Sequence, residues 1–223
     1  MPKRLTIAID GPASSGKGTV ARTVARRLDY AYIDTGAMYR SVALAAHERG
    51  IQLNLDAELG RLAASLAFEF RWDGAQLRVV VNGKDWSDSI RTETVGKGAS
   101  DVAVHPTVRA ALLERQRALA ARGGIVMDGR DIGSVVLPNA DLKIFLDASV
   151  DERARRRHFE LVSRGLNVTL EAIRAEVAER DHQDRTRQEA PLVRTDDAVY
   201  LDTTSLSAEQ SADRIVAMVS ELA

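Results

Sequence analysis

Short apolar runs recur along the chain between stretches that have helical spacing. The first run, Leu5–Ile9, is rich in β-branched residues, and a glycine-containing loop separates it from apolar positions at helical intervals over Val20–Leu28. This order predicts strand, loop and helix. Later runs of similar length are Tyr30–Ile33, Ile125–Met127, Leu142–Leu146 and Ala198–Leu201. Strands that alternate with helices predict an α/β fold, in which helices cover both faces of a parallel five-stranded core sheet.

One interval departs from this alternation. The runs Phe68–Trp72 and Leu77–Val81 flank a turn segment that contains Gly74, and a second turn segment with Gly83 follows. Two short apolar runs around such a turn indicate a β-hairpin. Because antiparallel strands interrupt an α/β pattern here, the sequence predicts a small antiparallel β insertion at about residues 53–91.

Composition narrows the functional classes. The 223 residues fit one domain with small inserted pieces, and 31 basic and 32 acidic residues leave a formal charge of -1, which gives no general attraction to nucleic acid or to a membrane surface. The absence of cysteine excludes disulfides and thiolate metal sites. No apolar run reaches signal-peptide or membrane-spanning length. We therefore expect a cytoplasmic protein that binds neither nucleic acid nor membrane.

A phosphate-binding pattern stands between the first predicted strand and its helix. The G-x-x-x-x-G-K segment and the two residues after it are Gly11, Pro12, Ala13, Ser14, Ser15, Gly16, Lys17, Gly18 and Thr19. In this context backbone N–H groups and the helix N-terminus bind phosphate oxygens, and Lys17 reaches the β- and γ-phosphates of ATP. The hydroxyl expected directly after Lys17 comes one residue later, at Thr19, so the pattern leaves the Mg²⁺ contact open. The loop alone predicts triphosphate binding and would suit a hydrolase equally well.

Two further polar segments follow predicted strands and therefore fall at the sheet edge where α/β proteins bind ligands. In the first, Asp34 and Thr35 precede Arg40, although an aspartate and a threonine at this place could be only a helix N-cap. In the second, Asp128 precedes Gly129–Asp131. Asp128 has the position of a Walker-B aspartate that orients Mg²⁺-bound water, and the alternative is an ordinary turn aspartate.

Six segments stand in an order that matches a known family. They are Ile9–Pro12 leading into the phosphate loop, Asp34–Arg40, Ile90–Thr92, Asp128–Gly133, Lys143–Ala148 and Ala190–Leu192. With them the sequence resembles the bacterial cytidylate kinases over essentially its whole length. The resemblance implies a P-loop kinase fold with a core at residues 1–52, 92–150 and 168–223, an insertion at about 53–91 in the region that binds the nucleoside monophosphate, and a short helical lid at about 151–167. It also implies phosphorylation of CMP and dCMP by ATP with Mg²⁺. Separately, we expect a monomer without an obligate protein partner.

The resemblance assigns residues to CMP. It places Arg40, Arg130 and Arg187 on the phosphate, Ser100, Arg109 and Asp131 on the base, Arg180 and Asp184 on the ribose, and Thr35 in the same site. A carboxylate accepts a hydrogen bond from the amino group of cytosine but would face an oxygen of uracil, so Asp131 should favour CMP over UMP. Without the resemblance, Ser100 is only a small polar residue, Arg109 is a solvated charge, and Arg180, Asp184 and Arg187 form a salt-bridged surface stripe at helical spacing.

The same resemblance assigns catalytic residues. Arg153 and Arg157 share one face of a predicted helix, and the resemblance places them in a lid that neutralises charge on the transferring phosphoryl together with Lys17. Thr19 and Asp128 are assigned to Mg²⁺, with contacts through water. We expect no catalytic base, because the accepting oxygen belongs to a phosphate that is already anionic.

Two rival functions stay open at this point. A P-loop kinase could use a different small acceptor, such as UMP, another nucleotide or shikimate, and Asp131 is the residue that discriminates against UMP. Alternatively, the protein could be a nucleotide-sensing module that binds or hydrolyses ATP without a second substrate. Release of ADP that depends on an acceptor separates these alternatives.

Overall fold

The computed structural model describes residues 4–74 and 76–222. Over these residues the strands are β1 (Thr6–Asp10), β2 (Ala31–Asp34), β3 (Phe68–Asp73), β4 (Gln76–Val81), β5 (Lys84–Asp85), β6 (Ile125–Gly129), β7 (Leu142–Asp147) and β8 (Val199–Asp202). The α-helices are α1 (Lys17–Leu28), α2 (Thr35–Glu48), α3 (Asp56–Ser65), α4 (Glu93–Val102), α5 (Pro106–Ala120), α6 (Val150–Ser163), α7 (Leu170–Thr186) and α8 (Ala208–Leu222). A 3-10 turn, Ser89–Arg91, and a π-helical turn, Ile132–Val136, complete the described elements.

The chain divides into two compact units. One unit, here called the core unit, runs to Tyr32 and resumes at Arg122, and the other, the second unit, is Ile33–Ala121. The narrower bounds that the sequence predicts for the insertion, 53–91, and for the lid, 151–167, stay predictions.

A five-stranded sheet has the order β2-β6-β1-β7-β8. The β1 strand pairs in parallel with β6 and β7, and β7 pairs in parallel with β8. The apolar side chains of β1, β6 and β7 are buried along almost the whole strand, as expected for a parallel sheet whose two faces are covered. The predicted parallel sheet flanked by helices is confirmed. Its register places Asp10 beside Gly129, so the ends of β1 and β6 lie side by side.

The helix after β1 begins earlier than its apolar pattern. Apolar spacing predicted a start near Val20, whereas α1 begins at Lys17. The first turn contains Lys17, Gly18 and Thr19, which follow the phosphate loop and add nothing to the apolar stripe. Burial of Val20, Ala21, Val24 and Ala25 gives the remaining turns their packed face.

Helices α6 and α7 pack on each other around a small apolar cluster. Its members are Ala154, Leu161, Ile173 and Val177. Each helix has a hydroxyl N-cap: the Ser149 Oγ accepts from the N–H of Glu152 at 3.3 Å, and the Thr169 Oγ1 accepts from the N–H of Ala172 at 3.2 Å. These caps define where the two helices begin and therefore which of their charged side chains face each other.

The second unit contains an antiparallel sheet in the order β3-β4-β5. Phe68 pairs with Val81 and Asp73 with Gln76, so the predicted hairpin is confirmed. Helices α3 and α5 approach closely at Gly60, where an added Cβ would lie 2.3 Å from the Thr107 Oγ1. None of the helices in the described residues combines the length and the apolar character needed to cross a membrane.

Candidate active site

The phosphate loop is shaped by two glycines. At Gly11 an added Cβ would lie 2.0 Å from the carbonyl oxygen of Leu146, so only glycine lets the chain pass so close to β7. Gly16, the last residue before α1, has a left-handed φ of 90°, which favours glycine. The Ser15 Oγ is buried and has no hydrogen-bond partner among the described residues. The loop therefore offers backbone N–H groups, a helix N-terminus and a buried hydroxyl to an anion.

Lys17 is a buried cation at the start of α1. Its Nζ donates to the carbonyl oxygen of Pro12 at 3.1 Å, and only 9% of the residue is exposed. Burial and the nearby Arg130 lower the pKa of Lys17 to about 7, while Asp128 and Asp184 act in the opposite direction. A polyphosphate bound beside Lys17 would favour its charged form.

Asp128 lies at the end of β6 with its carboxylate held by a tyrosine. The Tyr32 hydroxyl donates to Asp128 Oδ1 at 2.8 Å, and Asp128 is buried. A Cβ added at Gly18 would lie 3.5 Å from the Tyr32 hydroxyl and 3.8 Å from Asp128 Oδ2. The side chain that normally follows the P-loop lysine would thus point at Asp128, and in this chain the tyrosine hydroxyl stands beside that carboxylate instead.

The residues available to Mg²⁺ are few. Over residues 4–74 and 76–222, no group of three His, Cys, Asp or Glu side chains could hold a metal ion. Thr19 is exposed, with its Oγ1 near Arg22, and Asp128 is buried beside Lys17. One carboxylate and one hydroxyl fit an ion that is held mainly by phosphate oxygens and water, as Mg²⁺ is in many phosphoryl-transfer sites.

A cluster of opposite charges follows β6 and reaches into α7. The Arg130 Nε donates to Asp184 Oδ2 at 2.7 Å, while the Arg187 guanidinium lies 3.9 Å from Asp184 Oδ1 and 3.8 Å from Asp131 Oδ1. Burial would raise the pKa of Asp184, but the hydrogen bond from Arg130 and the charges of Arg130, Arg180 and Arg187 together lower it. Arg180 lies one turn before Asp184 on α7.

The burial of this cluster decides one alternative. Asp131 and Asp184 are 6% and 8% exposed, and the side chain of Arg187 is 7% exposed. Spacing alone had allowed a solvated stripe of salt bridges on α7. The structure instead gathers Asp184 and Arg187 with Arg130 and Asp131 in a buried group, where charges are expensive unless they are paired.

Arg153 and Arg157 have different environments on α6. Arg153 is 2% exposed and forms a two-bond pair with Asp181, at 2.9 and 2.5 Å, while its Nη1 also donates to the carbonyl oxygen of Ala13 at 3.2 Å. The Arg157 Nη1 donates to Glu160 Oε2 at 2.7 Å and remains partly exposed. The guanidinium of Arg153 thus links α7 to the phosphate loop itself.

The second unit holds the remaining predicted residues. Asp34 caps α2 by accepting from the N–H of Ala37 at 2.8 Å, and it also accepts from Arg40 Nη2 at 2.7 Å. The Arg40 Nε is buried and has no hydrogen-bond partner among the described residues. Thr35 is buried at the start of α2. Asp34 is therefore the N-cap of α2, as the alternative interpretation held, and it also orients the Arg40 side chain.

The two base-contact candidates lie on α4 and α5. Arg109 donates to the carbonyl oxygen of Ala103 at 3.3 Å, and its guanidinium lies 5.7 Å from the ring centroid of Tyr39. It is half-buried, so it is held more firmly than a solvated surface charge. Ser100 lies in the last turns of α4 and is also half-buried.

Three residues that support the site were not identified from the sequence. The Arg156 Nη1 donates to the Ser15 carbonyl oxygen of the phosphate loop at 2.9 Å, Tyr32 bonds Asp128, and Asp10 accepts from the N–H groups of Ile132 and Gly133. Their partners lie 141, 96, 122 and 123 residues away along the chain. Of these three residues, only Asp10 could have been identified from the sequence, because it belongs to one of the six segments that match the family.

Comparisons with known proteins agree on one family. A family model described as Cytidylate kinase matches residues 7–221. The cytidylate kinase of Geobacillus thermodenitrificans (strain NG80-2) is 51% identical over 221 residues, 99% of this chain and 99% of that protein. The cytidylate kinase of Bacillus cytotoxicus is 50% identical over 221 residues, 99% of this chain and 98% of that protein. A crystal structure of an uncharacterized protein from Eubacterium ventriosum ATCC 27560 covers 97% of this chain and 98% of its own, with a TM-score of 0.53 at 11% identity, a likeness of fold alone.

Proposed function

The chain belongs to the cytidylate kinase family, and from this premise we propose that it transfers the γ-phosphoryl group of ATP to CMP, and to dCMP, with release of ADP. The observation that carries the proposal is the buried charge cluster of the core unit. There the charges of Arg130 and Asp184, two residues proposed to bind CMP, shift the pKa of Lys17 in the phosphate loop. Direct transfer requires the groups that bind ATP and those that bind the acceptor to lie close together.

The proposed reaction is an in-line displacement. A phosphate oxygen of CMP forms a bond to the γ-phosphorus, and the bond from that phosphorus to the bridging oxygen of ADP breaks. The attacking oxygen is already anionic near neutral pH, so no side chain needs to remove a proton. The protein's contribution is therefore to orient the two phosphates and to balance negative charge.

In the core unit, Arg130 and Arg187 are proposed to bind the CMP phosphate, since a guanidinium fork matches phosphate geometry. Arg180 and Asp184 are proposed to bind the ribose hydroxyls. Asp131 is proposed to accept from the cytosine amino group. Its burial supports this role, because a desolvated carboxylate that loses its donor is penalised strongly, and uracil offers no donor at that position.

In the second unit, Thr35, Arg40, Ser100 and Arg109 are proposed as further CMP contacts. The oriented guanidinium of Arg40 supports a phosphate contact. The Arg40 Nη2 donates to Asp34, whereas the Arg40 Nε is buried and has no hydrogen-bond partner among the described residues. The contact of Arg109 with Tyr39 fixes the guanidinium near an aromatic face. For Ser100 and Thr35 the support is the family resemblance.

Lys17, Arg153 and Arg157 are proposed to balance the charge on the transferring phosphoryl. To bind a phosphate, Arg153 would have to exchange its bonds to Asp181 and Ala13 for phosphate oxygens. Arg157 pairs with the half-exposed Glu160. Bound Mg²⁺ would neutralise the β- and γ-oxygens, and Asp128 and Thr19 are the residues proposed to hold it through water.

Acceptor-dependent release of ADP tests the proposal. The protein is supplied with Mg-ATP and, in turn, CMP, dCMP, UMP, AMP, GMP and shikimate, and ADP is measured in a coupled assay. CMP and dCMP are expected to give the highest kcat/KM. Steady ADP release without any acceptor would favour the ATP-sensing module, and a preference for UMP or shikimate would favour the rival kinases.

A further inference from the structure

The carboxylate of Asp10 is tied to a segment more than a hundred residues away. Asp10 is the last residue of β1, immediately before the phosphate loop. Its Oδ1 accepts from the N–H of Ile132 at 2.7 Å, and its Oδ2 accepts from the N–H of Gly133 at 2.7 Å. Asp10 is 6% exposed, so both oxygens have exchanged water for these two backbone donors.

The two donors belong to the beginning of the π-helical turn Ile132–Val136. The first N–H groups of any helical turn lack partners within the turn itself. Further along, the N–H groups of Val135 and Val136 bond back to the carbonyl oxygen of Asp131 at 2.9 and 3.1 Å. Asp10 therefore caps this turn from a different strand, and the cap fixes the backbone directly after Arg130 and Asp131.

Gly133 shows how closely the turn is held. A Cβ added there would lie 3.3 Å from Asp10 Oδ2 and 3.1 Å from Lys143 Cδ. Even the methyl group of alanine at Gly133 would require Asp10, Lys143 or the turn to shift by a few tenths of an ångström. Burial raises the pKa of Asp10 to about 7, against the lowering effect of the two N–H bonds. The Asp10 carboxylate is thus costly to keep ionised, yet it lies where both of its oxygens can accept hydrogen bonds from the π-helical turn.

We propose that Asp10 is a positioning residue for CMP, which holds Arg130 and Asp131 in place by fixing the N–H groups of Ile132 and Gly133. This inference rests on the proposed function. Both carboxylate oxygens serve the turn after β6, although Asp10 adjoins the phosphate loop in sequence. Loss of the carboxylate should therefore weaken CMP binding much more than ATP binding, since removal of a negative charge near Lys17 does not disfavour the anionic ATP.

Separate binding of the two nucleotides tests this inference. CMP and ATP are titrated by calorimetry at pH 8 into the wild type, Asp10→Asn, Gly133→Ala and Asp141→Asn. Asp10→Asn keeps the shape but leaves one accepting oxygen for two donors, so the Kd for CMP is expected to rise about tenfold, with a change of less than about threefold for ATP. Gly133→Ala keeps the carboxylate, displaces the turn and should give the same split if Asp10→Asn does not fold.

Asp141→Asn is the matched control. The Asp141 Oδ2 accepts from the N–H of Thr6 at 2.8 Å, at the opposite end of the same strand. It is expected to leave both affinities unchanged. Hydrogen exchange at Ile132 and Gly133 should accelerate in Asp10→Asn and not in the control.

The outcomes separate the two proposals. A wild type that does not bind CMP overturns the proposed function, and the inference with it. A wild type that binds CMP, with unchanged CMP affinity in both Asp10→Asn and Gly133→Ala, overturns the inference alone. Equal losses for CMP and ATP would also overturn it, since they would indicate a general role in the fold.

Discussion

The two units of the chain bury different kinds of polar side chain. Over residues 4–74 and 76–222, the charged residues that are buried as whole residues all belong to the core unit, and they are Asp10, Lys17, Asp128, Asp131, Lys143, Arg153, Asp181 and Asp184. The buried side chain of Arg187 lies in the same unit. The buried polar side chains of the second unit are neutral, and they are Thr35, Ser41, Ser87 and Gln116. Both units have apolar cores, so the contrast lies in the charges.

This contrast has an energetic meaning. Removing an ionised group from water costs several kcal/mol, and pairing seldom returns more than that cost. The second unit avoids the cost by satisfying its buried hydroxyls locally, as when the Ser41 Oγ donates to the carbonyl oxygen of Ala37 at 2.8 Å. In the core unit, charged residues near the phosphate loop, such as Lys17 and Asp128, are buried despite this desolvation penalty. Buried charges with shifted pKa values, such as Lys17 and Asp184, are candidates for functional sites. Changes at these two residues should therefore alter catalysis before stability.

The largest effect is expected from Lys17→Met. The substitution keeps the length of the side chain but removes the cation predicted to reach the β- and γ-phosphates. The kcat for CMP should fall by roughly 10²–10³-fold, the scale for losing one transition-state charge contact. The melting temperature should stay the same or rise, because burial already disfavours the charge of Lys17. Coupled ADP release and a thermal melt measure the two quantities.

Lys143→Met is the control for that variant. Lys143 is equally buried in the core unit, at 8% exposure, and its Nζ donates to Asp197 Oδ2 at 2.6 Å. The same chemical change is thus made at a lysine with no assigned contact to either substrate. Near-normal kcat in Lys143→Met and a large loss in Lys17→Met are expected. Near-normal turnover in Lys17→Met would contradict the proposed mechanism.

A smaller effect, confined to specificity, is expected from Asp131→Ala. The ratio of kcat/KM for CMP to that for UMP should fall by about 10–100-fold, since one buried hydrogen bond of about 1–3 kcal/mol no longer distinguishes the two bases. Arg187 should stay in place, because Ala190 and Asp184 also hold its guanidinium. Competition assays with both nucleotides measure the ratio directly.

The control here is Asp151→Asn, which alters an exposed carboxylate paired with Arg174 on the surface of the core unit. It should leave the CMP to UMP ratio unchanged. An unchanged ratio in Asp131→Ala as well would argue against base recognition by Asp131.

Separation along the chain explains how much the sequence could predict. The pattern of an apolar strand is defined by neighbouring residues, so the five parallel strands and the hairpin were predicted within a residue or two of their bounds. The phosphate loop is likewise defined by consecutive residues and was predicted. The links from Asp10 to Gly133, from Tyr32 to Asp128 and from Arg153 to Asp181 were not predicted, because they depend on strand order and helix packing. Elements with a local apolar pattern are therefore easier to predict from sequence than a site built from charges that are distant along the chain.

Burial of charged residues was the other property that the spacing of residues along a helix could not predict. Arg180, Asp184 and Arg187 have the same spacing whether they face solvent or the interior. The sequence could not separate those cases from residue types alone, whereas the structure shows Asp184 buried against Arg130. The assignment of these residues to CMP came from family resemblance and stays a proposal.

The smallest effect is expected from Gly60→Ala in the second unit, and it is an effect on stability. The added Cβ would lie 2.3 Å from the Thr107 Oγ1 and 2.6 Å from the Thr107 Cβ, so α3 and α5 must shift. Such overpacking costs typically 1–3 kcal/mol, from which the better helix propensity of alanine removes up to about 1 kcal/mol. A net loss of about 1 kcal/mol in unfolding free energy is expected from urea denaturation.

Gly96→Ala supplies the opposite sign within the same unit. Gly96 lies inside α4, and an added Cβ there meets nothing within 4 Å, so the helix gains about 0.5–1 kcal/mol without a clash. Urea denaturation measures both changes. An unfolding free energy of Gly60→Ala that equals or exceeds that of Gly96→Ala would contradict the packing argument.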